Sequence, residues 1–148
     1  MLGEGGTPLS KLIAAIREFQ AREDRSFDNK ELRAGIDALE GEFCANARTS
    51  QRNGEHLVSG NITAASWLAR TCGMSVTSAA DRLCVGEQLE SLPKVAAALA
   101  SGEIGYQSAS VLSHLRDKLG EKRDCFDEEE MLGFAREFSV SGLRRLCT

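Results

Sequence analysis

The sequence has few aromatic residues, 5% of its 148 with one tryptophan and one tyrosine among them, and few β-branched ones. Side chains of those kinds fill the pleated faces of sheets, so a β-sandwich or barrel is excluded as the fold. Only two prolines are present to interrupt helices. Cysteine pairs at C-x-x-C spacing are missing: Cys44, Cys72, Cys84, Cys125 and Cys147 are odd in number and irregularly placed. That pattern excludes a disulfide framework and reads as small apolar residues in a reducing compartment. His56 and His114 stand far apart, with no serine or cysteine at an interpretable motif spacing, so neither a nucleophile and base pair nor a local zinc site is legible. No stretch approaches the ~20 uninterrupted apolar residues that cross a bilayer, and the start MLGEGGTPLS lacks the basic flank and apolar run of a secretory signal. A cytoplasmic protein with no membrane partner is expected. The 18 basic residues against 22 acidic ones leave a net charge of −4, which supplies no overall pull toward nucleic acid or anionic lipid.

What remains is a chain rich in Ala, Leu, Glu and Arg, 42% hydrophobic, and of a length that suits one domain burying roughly 70% of its unfolded surface. The expected fold is all-α: a single compact multi-helix domain over residues 1–148. Residues 1–8 form a flexible tail, whose GEGG run lacks the Lys-Ser or Lys-Thr of a phosphate loop. Residues 9–60 form a helical hairpin. After Thr7-Pro8, Leu9, Leu12, Ile13, Ile16 and Phe19 fall at helical spacing, so a helix runs from about 9 to 23. Asp28 and Glu31 make a capping box before the stripe Leu32, Ile36, Leu39, Phe43 and Ala47. The short link from Asp24 to Phe27 folds the two helices antiparallel, and the stripe is either core or a dimerisation seam. From Arg48 to Gly60 the period lapses and Ser, Asn and Gly gather, which reads as a loop or a frayed helix end.

Residues 61–148 read as a bundle of short helices. Asn61 or Thr63 caps one carrying Trp67 and Leu68 inward, and Gly73 ends it where a left-handed residue is wanted. Ser75 caps the next, which carries Ala79, Leu83, Val85 and Leu89 and stops at Leu92, the residue before Pro93. Pro93 opens a helix that includes Leu99 and closes at Gly102; Gly105 or Gln107 opens another with Ala109, Leu112, Leu115 and Leu119. Trp67, Leu68, Gly73, Leu83, Leu92, Pro93 and Leu99 are the residues expected to hold the core and its turns. Asp127 and Glu130 cap a helix with Met131, Phe134, Ala135 and Phe138, and Ser141 caps the closing GLRRLCT, a helix that reads as truncated. The carboxylates Asp127 to Glu130 are consecutive and so point about 100° apart on a helix, which suits capping and the macrodipole better than one metal ion. No metal ligands and no cofactor are expected in this chain.

Counting Ala65 as the first position, Ala69, Gly73 and Ala79 occupy the fifth, ninth and fifteenth, where a helix-turn-helix places small residues and its glycine. Ser75, Thr77, Ser78 and Arg82 would then face DNA, with Arg144 and Arg145 as a second basic spot. Against this stands the charge of the would-be reading helix, whose single cation, Arg82, is outnumbered by Asp81, Glu87 and Glu90.

The segments WLARTCGMS, SAADRLCVGEQLESLPKVAAALASGEI and SASVL, with the closing VSGLRRL, resemble the family known as domain of unknown function 222, or the 13E12 repeat family, across most of residues 28–147. In that family the helical region typically precedes an HNH endonuclease domain. The resemblance implies a non-catalytic accessory domain that positions or oligomerises a nuclease module C-terminal to it, with DNA as the partner of the full-length protein. Any zinc or other divalent metal would belong to that module. No catalytic residue carries over, since nothing here matches the His-Asn-His motif. Two alternatives stay open, a DNA-binding helix-turn-helix-like module and a helical homodimerisation module.

Overall fold

In the computed structural model, which describes residues 6–61 and 63–147, the amphipathic stretches are helical and most begin on a side-chain cap. The described residues form α1 (Pro8–Gln20), α2 (Asn29–Arg52), α3 (Glu55–Val58), α4 (Ala64–Cys72), α5 (Val76–Leu89), α6 (Pro93–Ala100), α7 (Tyr106–Leu119), a 3-10 turn (Gly120–Cys125), α8 (Glu128–Glu137) and α9 (Val140–Leu146). Among them there is no strand. The all-α expectation is met. Side-chain oxygens of Thr7, Asp28, Thr63, Ser75 and Asp127 each accept a first-turn backbone N–H, which satisfies a donor the helix itself leaves unpaired. No helix among the described residues is long and apolar enough to cross a membrane.

Helix α5 is the element around which the rest is arranged: it packs on α2, α4, α6 and α7. One apolar cluster joins Cys44 of α2 and Val85 of α5 to Val95, Leu99, Leu112 and Leu143. A second joins Ala47 of α2 and Ala79 and Leu83 of α5 to Ala64 and Leu68 of α4. The two clusters share the same two helices. The two helices pack tightly at Gly86, where an added Cβ would lie 2.4 Å from the carbonyl oxygen of Cys44. Leu68, Leu83, Leu92 and Leu99 are buried as expected, Trp67 is half-buried against the second cluster, and Pro93 takes the first position of α6. Gly73 ends α4 in the left-handed region, φ 64°, as expected of a glycine that closes a helix.

Four expectations need correction. Residues 9–60 do not form a packed hairpin. Leu9, Ile13, Ile16 and Phe19 of α1 remain between 39% and 65% exposed, and α1 buries no residue of its own. Amphipathic spacing shows which side chains share a face; it does not supply a cover for that face. Secondly, the stretch from Arg48, expected as a loop or a frayed helix end, is regular helix through Arg52, because Arg48 and Arg52 reach across to Glu87 of α5 and to Glu90 at its C-cap while Ser50 is buried. Thirdly, the last helix is capped by Ser139, whose hydroxyl accepts the Gly142 N–H at 3.1 Å, and not by Ser141. Finally, the tail expected over 1–8 falls outside the described residues through residue 5, and Pro8 already belongs to α1.

The acidic run has a structural use on three sides. Asp127 caps its own helix, Glu128 accepts the backbone N–H groups of Lys94 and Val95 at 2.8 and 2.9 Å and so caps α6, and Glu129 pairs with the Lys94 ammonium. Leu92, at the cap position of α6, has no side-chain oxygen, and a carboxylate from α8 substitutes for it.

Two alanine substitutions should have opposite signs. Gly86→Ala is expected to lower stability by about 1–3 kcal/mol, because backbone stands where the methyl must go. Gly35→Ala, in α2 with nothing within 4 Å of the new Cβ, is expected to raise it by about 0.5–1 kcal/mol. Chemical denaturation of the two variants checks both signs.

Candidate functional site

Helix α7 carries Tyr106, Ser110 and His114 four residues apart, so successive members turn only about 40° around the helix and share one face. That face meets α5 at Asp81. The Tyr106 hydroxyl donates to Asp81 Oδ2 at 2.7 Å, the Ser110 hydroxyl donates to Oδ1 at 2.6 Å, and His114 Nε2 lies 2.7 Å from the same Oδ1. One carboxylate of α5 is thus held by three side chains of α7. The seam continues along both helices: Cys84 Sγ lies 3.8 Å from His114 Nδ1, and Gln88 accepts from Arg116 at 2.7 Å and donates to Asp117 at 3.4 Å.

Arg82 closes the arrangement from the other side. It donates to Glu40 Oε1 of α2 at 2.9 Å, its Nη1 is 3.4 Å from Asp81 Oδ2, and its guanidinium lies 5.0 Å from the centre of the Tyr106 ring. Beside this cluster opens a cavity of about 850 Å³, whose wall includes Arg33, Thr77, Cys84, Gln107 and Arg144.

The electrostatics favour an ionised Asp81 carboxylate and protonated Tyr106 and Cys84. Burial pushes the Asp81 carboxyl up, but the hydrogen bonds from Ser110, Tyr106 and His114 outweigh it and hold the group below its ordinary range. Burial raises the Tyr106 phenol, as do the neighbouring Cys44 and Asp81. The Cys84 thiol is pushed up to about 12 by burial first and then by Asp117 and Asp81, and burial likewise pushes Cys44 up to about 12. The order Cys84, His114, Asp81 has the outline of a nucleophile, base and orienting acid, but a thiol titrating near 12 is protonated at neutral pH and is a poor nucleophile. No group of three or more His, Cys, Asp or Glu side chains among the described residues is placed to hold a metal ion.

The structure distributes the six candidate DNA-contacting residues unevenly. Thr77, Arg82 and Arg144 line the same cavity. Ser75 uses its hydroxyl to accept the Ser78 N–H and cap α5, and Arg82 is turned inward to Glu40 and Asp81. Arg145 is exposed on α9 and is not part of the cavity wall. Asp81, Tyr106, Ser110, His114 and Glu40 were not legible as a group. The one local signal was the polar series at 106, 110 and 114 set within a leucine-bearing helix.

Residues 23–133 match the family described as Domain of unknown function (DUF222). Neither a curated protein nor a solved structure matches the chain.

The depressed Asp81 carboxyl stabilises the fold above its unfolded pKa of about 3.9, and that contribution is lost as pH falls through the lower folded value. Asp81→Asn presents an amide N–H₂ to groups that need an acceptor. It is expected to cost about 2–3 kcal/mol at pH 7, and the gap to the native chain should narrow near pH 3. Thermal unfolding at both pH values checks this, and an unchanged midpoint at pH 7 would contradict it.

Proposed function

The chain belongs to the DUF222 family, and from that premise we propose that it is a non-catalytic helical accessory domain of an HNH endonuclease-type protein, positioning a nuclease module C-terminal to it. The observation that carries the non-catalytic part is the saturation of Asp81. Both carboxylate oxygens are engaged by side chains of α7, so the group acts as a clamp between helices. The protonated thiols and the use of Asp127, Glu128 and Glu129 in caps and an ion pair support the same reading. The link to a nuclease rests on the family resemblance of the WLARTCGMS and LESLPKVAAALASGEI segments. The chemistry of bond cleavage, and any zinc or magnesium, then belongs to the following module, and DNA is the partner of the whole protein. All five cysteines are free, which suits the reducing cytoplasm.

A second reading, direct DNA contact by this domain, draws on Arg33, Thr77, Arg144 and His114 around one cavity. Against it, α5 is packed on four other helices and its single cation is engaged by carboxylates, which leaves little of it to enter a groove.

Two measurements separate these readings. The chain alone, incubated with plasmid DNA and Mg²⁺ or Zn²⁺, is expected to leave the DNA intact, and cleavage that Asp81→Asn or His114→Ala abolishes would overturn the accessory role. A duplex titration over a range of salt concentrations is expected to show no steep dependence. A log–log slope of about −3 or steeper, reduced in Arg144→Ala, would favour the DNA-binding reading. A reading frame continuing past Thr148 without a His-Asn-His pattern would remove the nuclease link.

A further inference from the structure

Among the described residues, two apolar faces stand exposed on the first two helices. One is the stripe Leu9, Ile13 and Ile16 on α1, a thirteen-residue helix that buries no residue. The other is on α2, where Ile36 and Leu39 are 41% and 40% exposed and, with Phe43 and Met74, line an open groove of about 280 Å³. Monomeric proteins seldom leave contiguous apolar faces of this kind uncovered, and here a donor helix and an acceptor groove occur in the same sequence.

The connection between them decides against simple closure of α1 onto its own α2. Residues 21–28 are pinned: the Arg22 guanidinium lies 3.9 Å from the Phe19 ring centre and 5.0 Å from that of Phe27, and those two rings meet edge to face at 5.8 Å. Arg22 also donates to the Phe19 carbonyl at 2.7 Å and the Arg25 carbonyl at 3.2 Å, Arg25 donates to the Gln20 carbonyl, and Asp24 accepts from both the backbone and the hydroxyl of Ser26. All of these contacts lie within residues 19–27, so the link is ordered without any contribution from α2, and in this arrangement the stripe on α1 is left exposed.

We infer that the occupant of the groove is α1 of a second copy of this chain, exchanged reciprocally so that each protomer gives its helix and receives its partner's. The size of the contact favours exchange in both directions. A stable interface needs roughly 20–30 residues from each side. A thirteen-residue helix reaches that only when the same protomer also contributes the outer face of α2, as a two-fold arrangement provides. The inference deepens the reading of a positioning domain, since two joined copies would set two modules side by side. Its test is separate, because it reads mass and not DNA cleavage.

Sedimentation equilibrium of the 148-residue chain at micromolar concentrations is expected to give twice the monomer mass. Ile16→Glu in the donor stripe, or Leu39→Glu in the acceptor groove, is expected to weaken association about 100-fold while leaving the helical circular dichroism unchanged, since both side chains are already at the surface. Mixing the two variants should restore a mixed dimer, because one of its two helix-in-groove contacts then has both native faces. A monomeric native chain would overturn the inference. So would Leu39→Glu remaining fully dimeric, or a mixture of the variants that stays monomeric.

Discussion

A single carboxylate on α5, placed opposite three polar side chains of α7, fixes how the two helices sit. Apolar burial alone sets neither the rotation nor the axial register of packed helices sharply, since leucines and alanines tolerate sliding. A half-buried Asp81 held by three side chains tolerates less: a shift of one turn would leave a charge and several donors without these partners. Because α5 also packs on α2, α4 and α6, the position set by Asp81 is passed to most of the domain. Arg82, one residue on, ties the same point to Glu40 of α2.

This view changes the meaning of the residues that first suggest chemistry. A Cys, His, Asp order, an acidic quartet and a basic residue in a helix-turn-helix register each have a functional reading in isolation. In the folded chain the Cys84 thiol stays protonated, the quartet is largely taken up by caps and an ion pair, and Arg82 points at carboxylates. The spacing of Ala65, Ala69, Gly73 and Ala79 has a sufficient explanation in the close packing of α4 on α5, where Ala79 is fully buried.

What the sequence made legible was local. Caps such as Thr7, Asp28, Ser75 and Asp127 act within three residues of themselves, and the leucine periods identify inward faces, so the all-α architecture and most helix starts could be read directly. The misread places depend on distant partners. Arg48 and Arg52 extend α2 because Glu87 of α5 and Glu90 at its C-cap stand opposite them; the misplaced cap of α9, Ser139 in place of Ser141, is by contrast a local error of two residues. Asp81 and His114 are 33 residues apart and carry no motif spacing, so only the fold brings them to 2.7 Å. Family membership was carried by the residue order from Trp67 to Ile104, a pattern that periodicity does not explain. Helix α1 is the instructive failure, for its amphipathic spacing was read correctly but the cover expected from α2 leaves its stripe exposed.

The most direct measurement is a double-mutant cycle between Asp81→Asn and Ser110→Ala, scored by equilibrium denaturation at pH 7. If one shared carboxylate positions α5 against α7, the two changes must interact, with a coupling of about 1 kcal/mol or more. Effects that add to within about 0.3–0.5 kcal/mol would show that the two residues act independently and that apolar packing alone sets the register.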